Sequence, residues 1–434
     1  MGKLKDHPER DSYHLVYILF IIFGGAMLSA WNAIISASAY FEQSLPSKHA
    51  MNFMLVAYNV GVLPFMFLTT VYSSELNYTI FIGVPFVAAA ALMICVPFIC
   101  TYLKMKMAAL VLMMIVAFIC GMGTGVLNTS VFGLGGVFAG SSAGGIMIGQ
   151  GFVGLLSLIP LILHLSIPGD NTQTIGLIFF IFAACLNVIA FVCILLFKKI
   201  PFAKYTLDKY EQSKHPERVP LLKAEDQNRV NSKAEDLVEY QPTEEGAVVL
   251  KGCSKIKAFV KQLFGVLRRM KWYALAVFLC YFVTLFIYPS AILSVPSPKG
   301  MFTTDWQIAL WIHIRLNIFA VSDFISRWIP QCIKLYKSPA LVVIVSLVRV
   351  IFAVLLVIAR WVVWMRNLPF FITIYAIFSL MNGYHGTLIM SVAADQCDIE
   401  PSKRGVAGST MAFVLNCGIA LGCFLALPLG AALK

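Results

Sequence analysis

Apolar residues fill most of this chain in blocks of twenty or more, separated by short polar stretches. The blocks show neither the period of two of a half-buried strand nor the narrow stripe of a surface helix. A helix needs about 20 apolar residues to cross the hydrocarbon core of a bilayer. On that scale the pattern predicts spans over 15–38, 53–73, 79–101, 107–134, 143–166 and 174–197, then over 272–295, 306–330, 339–364, 369–393 and 405–430. The fourth is overlong and is expected to finish in a Gly-rich turn. The eighth is the least regular, because it carries Arg315, Asp323 and Arg327. The expected fold is an all-α integral membrane protein of about 11 transmembrane helices. Residues 1–14 would be a cytoplasmic N-terminus, 15–197 a six-helix bundle, 198–271 a cytoplasmic linker and 272–434 a five-helix bundle.

Composition supports this reading. Of 434 residues, 59% are hydrophobic and 12% charged, with mean hydropathy +0.83. Soluble proteins carry about a quarter charged residues, so polar surface here is too scarce to cover globular domains. A secreted disulfide scaffold, a disordered regulator and a soluble nucleic-acid binder are excluded. The 33 Phe and 30 Gly suit lipid-facing bulk and close helix packing.

The net charge of +12 would ordinarily raise the question of acidic partners. Here the charge sits in loops, and the positive-inside rule is the better explanation. Most Lys and Arg fall on the N-terminal side, chiefly in 198–271, but a loop that long counts weakly, and the short loops alone are balanced. The cluster Lys3, Lys5 and Arg10, with no signal-peptide pattern before it, favours a cytoplasmic start. Within 198–271, the first half has the composition of a disordered linker. The second half joins basic residues from Lys251 to Lys271 with Ile256, Phe259, Val260, Leu263, Phe264 and Leu267 at helical spacing. It reads as a basic amphipathic helix on an anionic leaflet, or as plain flanking charge for the next span.

Little in the sequence suggests catalysis. The His residues are scattered, HExxH and CxxC patterns are missing, and Gly121, Gly123 and Gly125 follow a membrane helix rather than a strand. His164, His313 and His385 face a cavity or make single interhelical hydrogen bonds. Most cysteines lie in spans, and no loop pair calls for a disulfide. The sequons at Asn77 and Asn128 fall in an inward loop and a span, so neither is an expected glycosylation site. No cofactor, metal or nucleic-acid partner is expected.

Charge inside the membrane is more informative. An ionisable group near the bilayer centre costs about 2.5–3.5 kcal/mol on insertion scales, so it should face protein or water. Asp323 and Arg327 are four apart and share a helical face. Such a couple neutralises itself while still offering an acceptor carboxylate and a fork of donors, which suits a neutral ligand rich in hydroxyls. A structural ion pair or a span end in the headgroups is the other reading. Arg315 and Arg349 either snorkel or pair structurally. Residues 121–151 hold overlapping small-xxx-small steps (Gly121/Gly125, Gly136/Gly140, Gly140/Gly144, Gly145/Gly149) around polar Asn128 and Gln150, and Gly418/Gly422 with Asn416 repeat the style near the end.

At these positions the chain resembles the equilibrative nucleoside transporter family over nearly its whole length. Trp31–Asn32 and Tyr40–Phe41 match its first span, with Ala30 where the family has Pro. Asn128, Ser130, Phe132–Gly133–Leu134 and Gly136 match the fourth, Asn128 standing where many members have Gln. Gly149–Gln150–Gly151 and Gly154 match the fifth. Asp323 and Arg327 match the eighth-span motif, with Ser326 replacing its Gly and Ala320 a common Asn. Arg349, Asn382–Gly383–Tyr384, Ala407–Gly408, Met411, Phe413 and Leu421–Gly422 match the last three spans.

The resemblance implies a major-facilitator-like arrangement of six plus five helices, with substrate bound between rocking bundles. It implies that Asp323 and Arg327 hydrogen-bond the ribose, that Asn128 meets the base edge and that Trp31 forms an aromatic wall. Trp31 would otherwise be an interfacial anchor. Leu28, Ile35 and Leu316 would line the pocket. The expected function is facilitated transport of nucleosides, with nucleobases as a further class, across the plasma membrane. Proton-coupled symport through Asp323 is the alternative, and a receptor or scaffold using 198–271 is the rival of a different class.

Overall fold

The computed structural model describes residues 11, 14–37, 40–41, 44–46, 50–73, 77–103, 105–138, 140–166, 172–214, 253–288, 290–298, 301 and 303–432. Among them every regular element is a helix. The first set is α1 (Leu15–Ser36), α2 (Ala50–Val71), α3 (Tyr78–Tyr102), α4 (Lys106–Val137), α5 (Gly140–Gly154), α6 (Leu158–Ser166) and α7 (Thr172–Phe197). Between the sets lie α8 (Pro201–Lys214) and α9 (Cys253–Arg269). The second set is α10 (Lys271–Ile287), the short α11 (Ser290–Ser294), α12 (Asp305–Cys332), α13 (Pro339–Ile358), α14 (Leu368–Gln396) and α15 (Arg404–Ala432).

Ten described helical stretches are long and apolar enough to cross a membrane. The one expected span not among these ten, the tenth at 369–393, is the 29-residue α14. Its length suffices, but Asn382, Tyr384 and His385 dilute its hydropathy, and all three are buried inside the protein. Elsewhere large apolar side chains such as Val84, Ile94 and Phe98 point outward. Helices apolar on both faces belong in lipid.

Local chemistry sets the helix ends. Thr304 and Gln307 form a reciprocal capping box at the start of α12. Ser338 caps α13, with Pro339 in its first turn. The Asp11 carboxylate accepts from the backbone N–H of Val16 and of Tyr17, both at 3.1 Å, and so closes the start of α1.

Several boundaries differ from expectation. The fourth span does not end in a Gly-rich turn: Gly133, Gly135 and Gly136 stay helical to Val137, because their missing side chains admit close neighbours. The fifth breaks at a 3-10 turn, Leu155–Ser157, just before Pro160, which supplies no N–H to the turn behind it. The seventh stops at extended Tyr288, as suits a residue preceding a proline, and the ninth ends at Ile358. The expected linker opens as helix α8, whose Ala203, Leu207 and Tyr210 recur at helical spacing and pack inward. Residues 215–252 lie outside the described ones.

Helix α9 is amphipathic as expected, but its apolar face is occupied by protein. Leu263 and Val266 are buried and Leu267 is half-buried against the core. The outward face carries Lys257, Lys261, Arg268 and Phe264, the last 62% exposed.

The small-residue steps bring backbones together. A Cβ on Gly125 of α4 would lie 2.5 Å from the Val62 carbonyl oxygen of α2, and one on Gly418 of α15 would lie 2.5 Å from that of Phe278 in α10. Glycine permits such approach, and any larger residue would push the helices apart.

Candidate functional site

Asp323 and Arg327 lie one turn apart on α12, 5% and 6% exposed. Arg327 Nε donates to Asp323 Oδ2 at 2.6 Å. Arg327 Nη1 donates to the Met147 carbonyl oxygen of α5 at 2.7 Å, reaching from the second helix set into the first. The other carboxylate oxygen, Asp323 Oδ1, accepts from Asn382 Nδ2 of α14 at 2.6 Å. Helix α14 comes this close because Gly383 faces the Asp323 carbonyl oxygen with no side chain between. Ser326, where the family motif has Gly, turns its hydroxyl back to donate to that carbonyl at 2.9 Å.

The network extends beyond the pair. Asn382 Oδ1 accepts from Arg349 Nη2 of α13 at 3.0 Å and from Thr284 Oγ1 of α10 at 2.7 Å. Arg349 is wholly buried, so it neither snorkels nor forms a salt bridge to a described carboxylate. Its Nη1 donates to the carbonyl oxygen and Sγ of Cys280, each at 2.7 Å, and its Nε has no partner among the described residues. Five helices thus converge on one carboxylate and two guanidiniums, a buried cluster with an excess positive charge.

The other expected site residues are more dispersed. Trp31 is half-buried and stacks on Tyr58 of α2, ring centroids 4.0 Å apart and 16° from parallel. That places it inside the first helix set rather than at a span end. Asn128 is 2% exposed and donates to the Thr124 carbonyl oxygen of its own helix at 2.9 Å. Leu28 and Leu316 are half-buried, and Ile35 is 41% exposed near the end of α1. Only Asp323 and Arg327 are joined by direct hydrogen bonds. Arg315 is structural: its guanidinium donates to the carbonyl oxygens of Ile292 and Val295, both at 2.8 Å, tying down α11. His385 is buried between Tyr336 Oη at 2.8 Å and Ser346 Oγ at 2.7 Å, an interhelical role. The His164 side chain lies outside the described residues.

Sequence reasoning gave no role to Tyr58, Cys280, Thr284 or the Met147 carbonyl, and left Asn382 as a motif residue. The available signals were a polar Asn within an apolar span and the i, i+4 spacing of Cys280 and Thr284.

The two helix sets meet along two seams. On one, Arg327 reaches Met147, Phe152 lies 6.1 Å from Phe324 between ring centroids, and Asn317 donates to the Ser157 carbonyl oxygen at 3.0 Å. On the other, Ser409 Oγ donates to the Thr129 carbonyl oxygen at 2.9 Å, and Gly136 and Gly408 bring α4 against α15. This second seam closes the end of the protein that carries Val137 and Arg404. There Arg404 pairs with Asp395 at 3.3 Å, Lys403 with Glu400 at 2.7 Å and Arg269 with Glu400 at 3.8 Å. One small cavity lies within the first helix set by Met27, Thr124 and Asn187, and another lies in the second seam itself, by Gly136, Met390, Arg404 and Gly408.

Chemically, the cluster offers charge-assisted donors and acceptors held by protein, with no nucleophile paired to a base. Among the described residues no group of three His, Cys, Asp or Glu could hold a metal.

Comparison with known proteins accords with this arrangement. A family model described as "Nucleoside transporter" matches residues 112–430. Equilibrative nucleoside transporter 2 of Mus musculus is 26% identical, the match covering 96% of this chain and 97% of that protein. Equilibrative nucleoside transporter 1 of Rattus norvegicus is 24% identical over 98% and 99%. Among solved structures, the major facilitator superfamily proton:xylose symporter XylE has a TM-score of 0.59 at 12% identity, covering 97% of this chain and 89% of that one. The E. coli fucose:proton symporter FucP has a TM-score of 0.56 at 14% identity, over 98% of each. These two likenesses are of fold alone.

Proposed function

The chain belongs to the nucleoside transporter family, and from that membership we propose that it carries nucleosides across the membrane by facilitated diffusion, binding them at Asp323 and Arg327. The chain is a multi-pass transporter rather than an enzyme. The observation that carries the site is the Arg327 guanidinium, held by Asp323 on its own helix and bonded to Met147 on the opposite set. A ligand at this pair meets both halves at once. That is what alternating access requires of a central site. The hydroxyls of a ribose fit an acceptor carboxylate beside a donor fork.

Trp31, stacked on Tyr58, offers an aromatic face to a base. Asn128 offers an amide to its edge, and Leu28, Ile35 and Leu316 supply apolar walls. Asn128 and Ala320 stand where the family has longer or more polar groups. That supports a base and sugar preference of its own, with nucleobases as further candidates.

Residues 15–197 and 272–434 form the two rocking bundles in this reading. The N-terminus and the 198–271 segment are cytoplasmic, so the closed end faces the cytoplasm, and the plasma membrane is the site of action. The exposed stripe Lys257, Lys261 and Arg268 beside Phe264 suits anionic headgroups. Neutralising those three cations should weaken any dependence of transport on anionic lipid in proteoliposomes.

Saturable uptake of radiolabelled adenosine in transport-deficient cells tests the function. Surface-expressed protein that gives no uptake of any nucleoside or nucleobase would favour the receptor or scaffold reading.

A further inference from the structure

We propose that Arg349 is a positioning residue for the substrate site: acting through Asn382, it orients the Asp323 carboxylate and so sets discrimination for ribose hydroxyls. This rests on the reading of Asp323 and Arg327 as the sugar site and adds a residue that touches no substrate.

A fully buried guanidinium is expensive unless it is paired or used. Arg349 has no described carboxylate within salt-bridge distance, and its Nε is buried without a partner among the described residues. Packing alone would be served better by an apolar side chain of similar volume. What the charge accomplishes is visible at Asn382. That amide lies between a cation and an anion, its Oδ1 3.0 Å from Arg349 Nη2 and its Nδ2 2.6 Å from Asp323 Oδ1. Turning the amide over would place oxygen against the carboxylate and NH2 against the guanidinium, which is repulsive at both ends. Arg349 therefore fixes which way Asn382 points.

Asn382 in turn fixes Asp323. With Oδ1 held by Asn382 and Oδ2 by Arg327, the carboxylate plane cannot rotate, and its remaining lone pairs keep one direction. Cys280 and Thr284 of α10 lock the far side of Arg349, through contacts at 2.7 and 2.6 Å. A hydroxyl bound at Asp323 thus reports on a residue two hydrogen bonds away.

The test compares adenosine with 2′,3′-dideoxyadenosine, which lacks the sugar hydroxyls, using surface-normalised uptake by the full chain. Arg349→Gln should raise KM for adenosine about tenfold, the scale of one charge-assisted hydrogen bond. KM for the dideoxy compound should stay within about twofold, since it lacks the groups being positioned. Arg349→Lys should recover part of the discrimination. Asn382→Leu should mimic Arg349→Gln, and the double variant should be no worse than either single one. Equal loss on both substrates, or additive effects in the double variant, would overturn the proposal. Where Arg349→Gln fails to reach the surface, Arg349→Lys and Asn382→Leu carry the comparison. Asp323→Asn separates the two levels. If it leaves discrimination intact, the sugar-site reading itself fails. If it abolishes discrimination while Arg349→Gln does not, only the positioning role fails.

Discussion

Arg327 Nη1 on α12 donates to the Met147 carbonyl oxygen on α5 at 2.7 Å, so the guanidinium that clasps Asp323 also ties the two helix sets together. One guanidinium serves the site through Nε and the seam through Nη1. Bundle motion must therefore stretch or exchange this bond, and a ligand that takes it over would couple binding to movement.

Arg327→Lys should lower uptake by about tenfold or more, because a single ammonium cannot hold Asp323 and Met147 in one planar fork. Arg327→Ala strands a buried carboxylate and should destabilise the protein by about 3–5 kcal/mol. Thermal unfolding in detergent would show it. Adding Asp323→Ala should restore part of the stability while leaving uptake absent. A double variant less stable than Arg327→Ala would show that the pair is not coupled.

The α4–α15 seam should be intolerant of added volume. A Cβ on Gly408 would collide with the Phe132 carbonyl oxygen, which belongs to helix backbone and cannot step aside. Gly408→Ala should thus hinder closure of this end, lowering maximal uptake several-fold with little change in KM. Gly123→Ala is the control, since its Cβ would sit 3.7 Å from the Pro85 Cβ, an ordinary contact. Equal behaviour of the two variants would remove the seam from the transport cycle.

The spans were legible because lipid demands apolar length, and length survives in one dimension. Asp323 and Arg327 were legible for a related reason: the pair is local, one turn apart. Asn382 and Arg349 were visible as polar residues in apolar spans, but their pairing joins helices far apart in sequence, which no spacing encodes. The α8 helix was hidden by average polarity. Ala203, Leu207 and Tyr210 already had helical spacing, and composition averages over that. The protein-facing side of α9 was equally hidden, because an apolar stripe does not state whether lipid or protein will cover it.

The ion pairs at the closed end should give a small, salt-sensitive contribution to stability. The hydrogen bond from Lys403, with its charge and that of Arg269, holds the Glu400 carboxyl below its ordinary value. A carboxyl depressed by folding stabilises the folded state above its unfolded value, and the contribution is lost as pH falls through the folded one. The melting temperature of Glu400→Gln should therefore lie slightly below the unmodified protein at neutral pH and converge with it in acid. Glu400 is exposed, so high salt should narrow the gap at neutral pH. A gap that widens in acid would contradict the assignment.

Facilitated transport makes a further demand on Asp323, the acidic group that proton coupling would most directly use. Both of its oxygens already accept short hydrogen bonds, Oδ2 from Arg327 Nε and Oδ1 from Asn382 Nδ2, each at 2.6 Å. A carboxylate engaged in this way serves the fixed pairing that facilitated transport uses. Proteoliposomes carrying the purified protein should equilibrate labelled nucleoside at the same rate and to the same final level with and without an imposed pH gradient. Accumulation above the external concentration, driven by that gradient, would identify a proton-coupled carrier. Loss of that accumulation in Asp323→Asn, with downhill uptake retained, would locate the coupling at Asp323 and overturn the paired state as its working form.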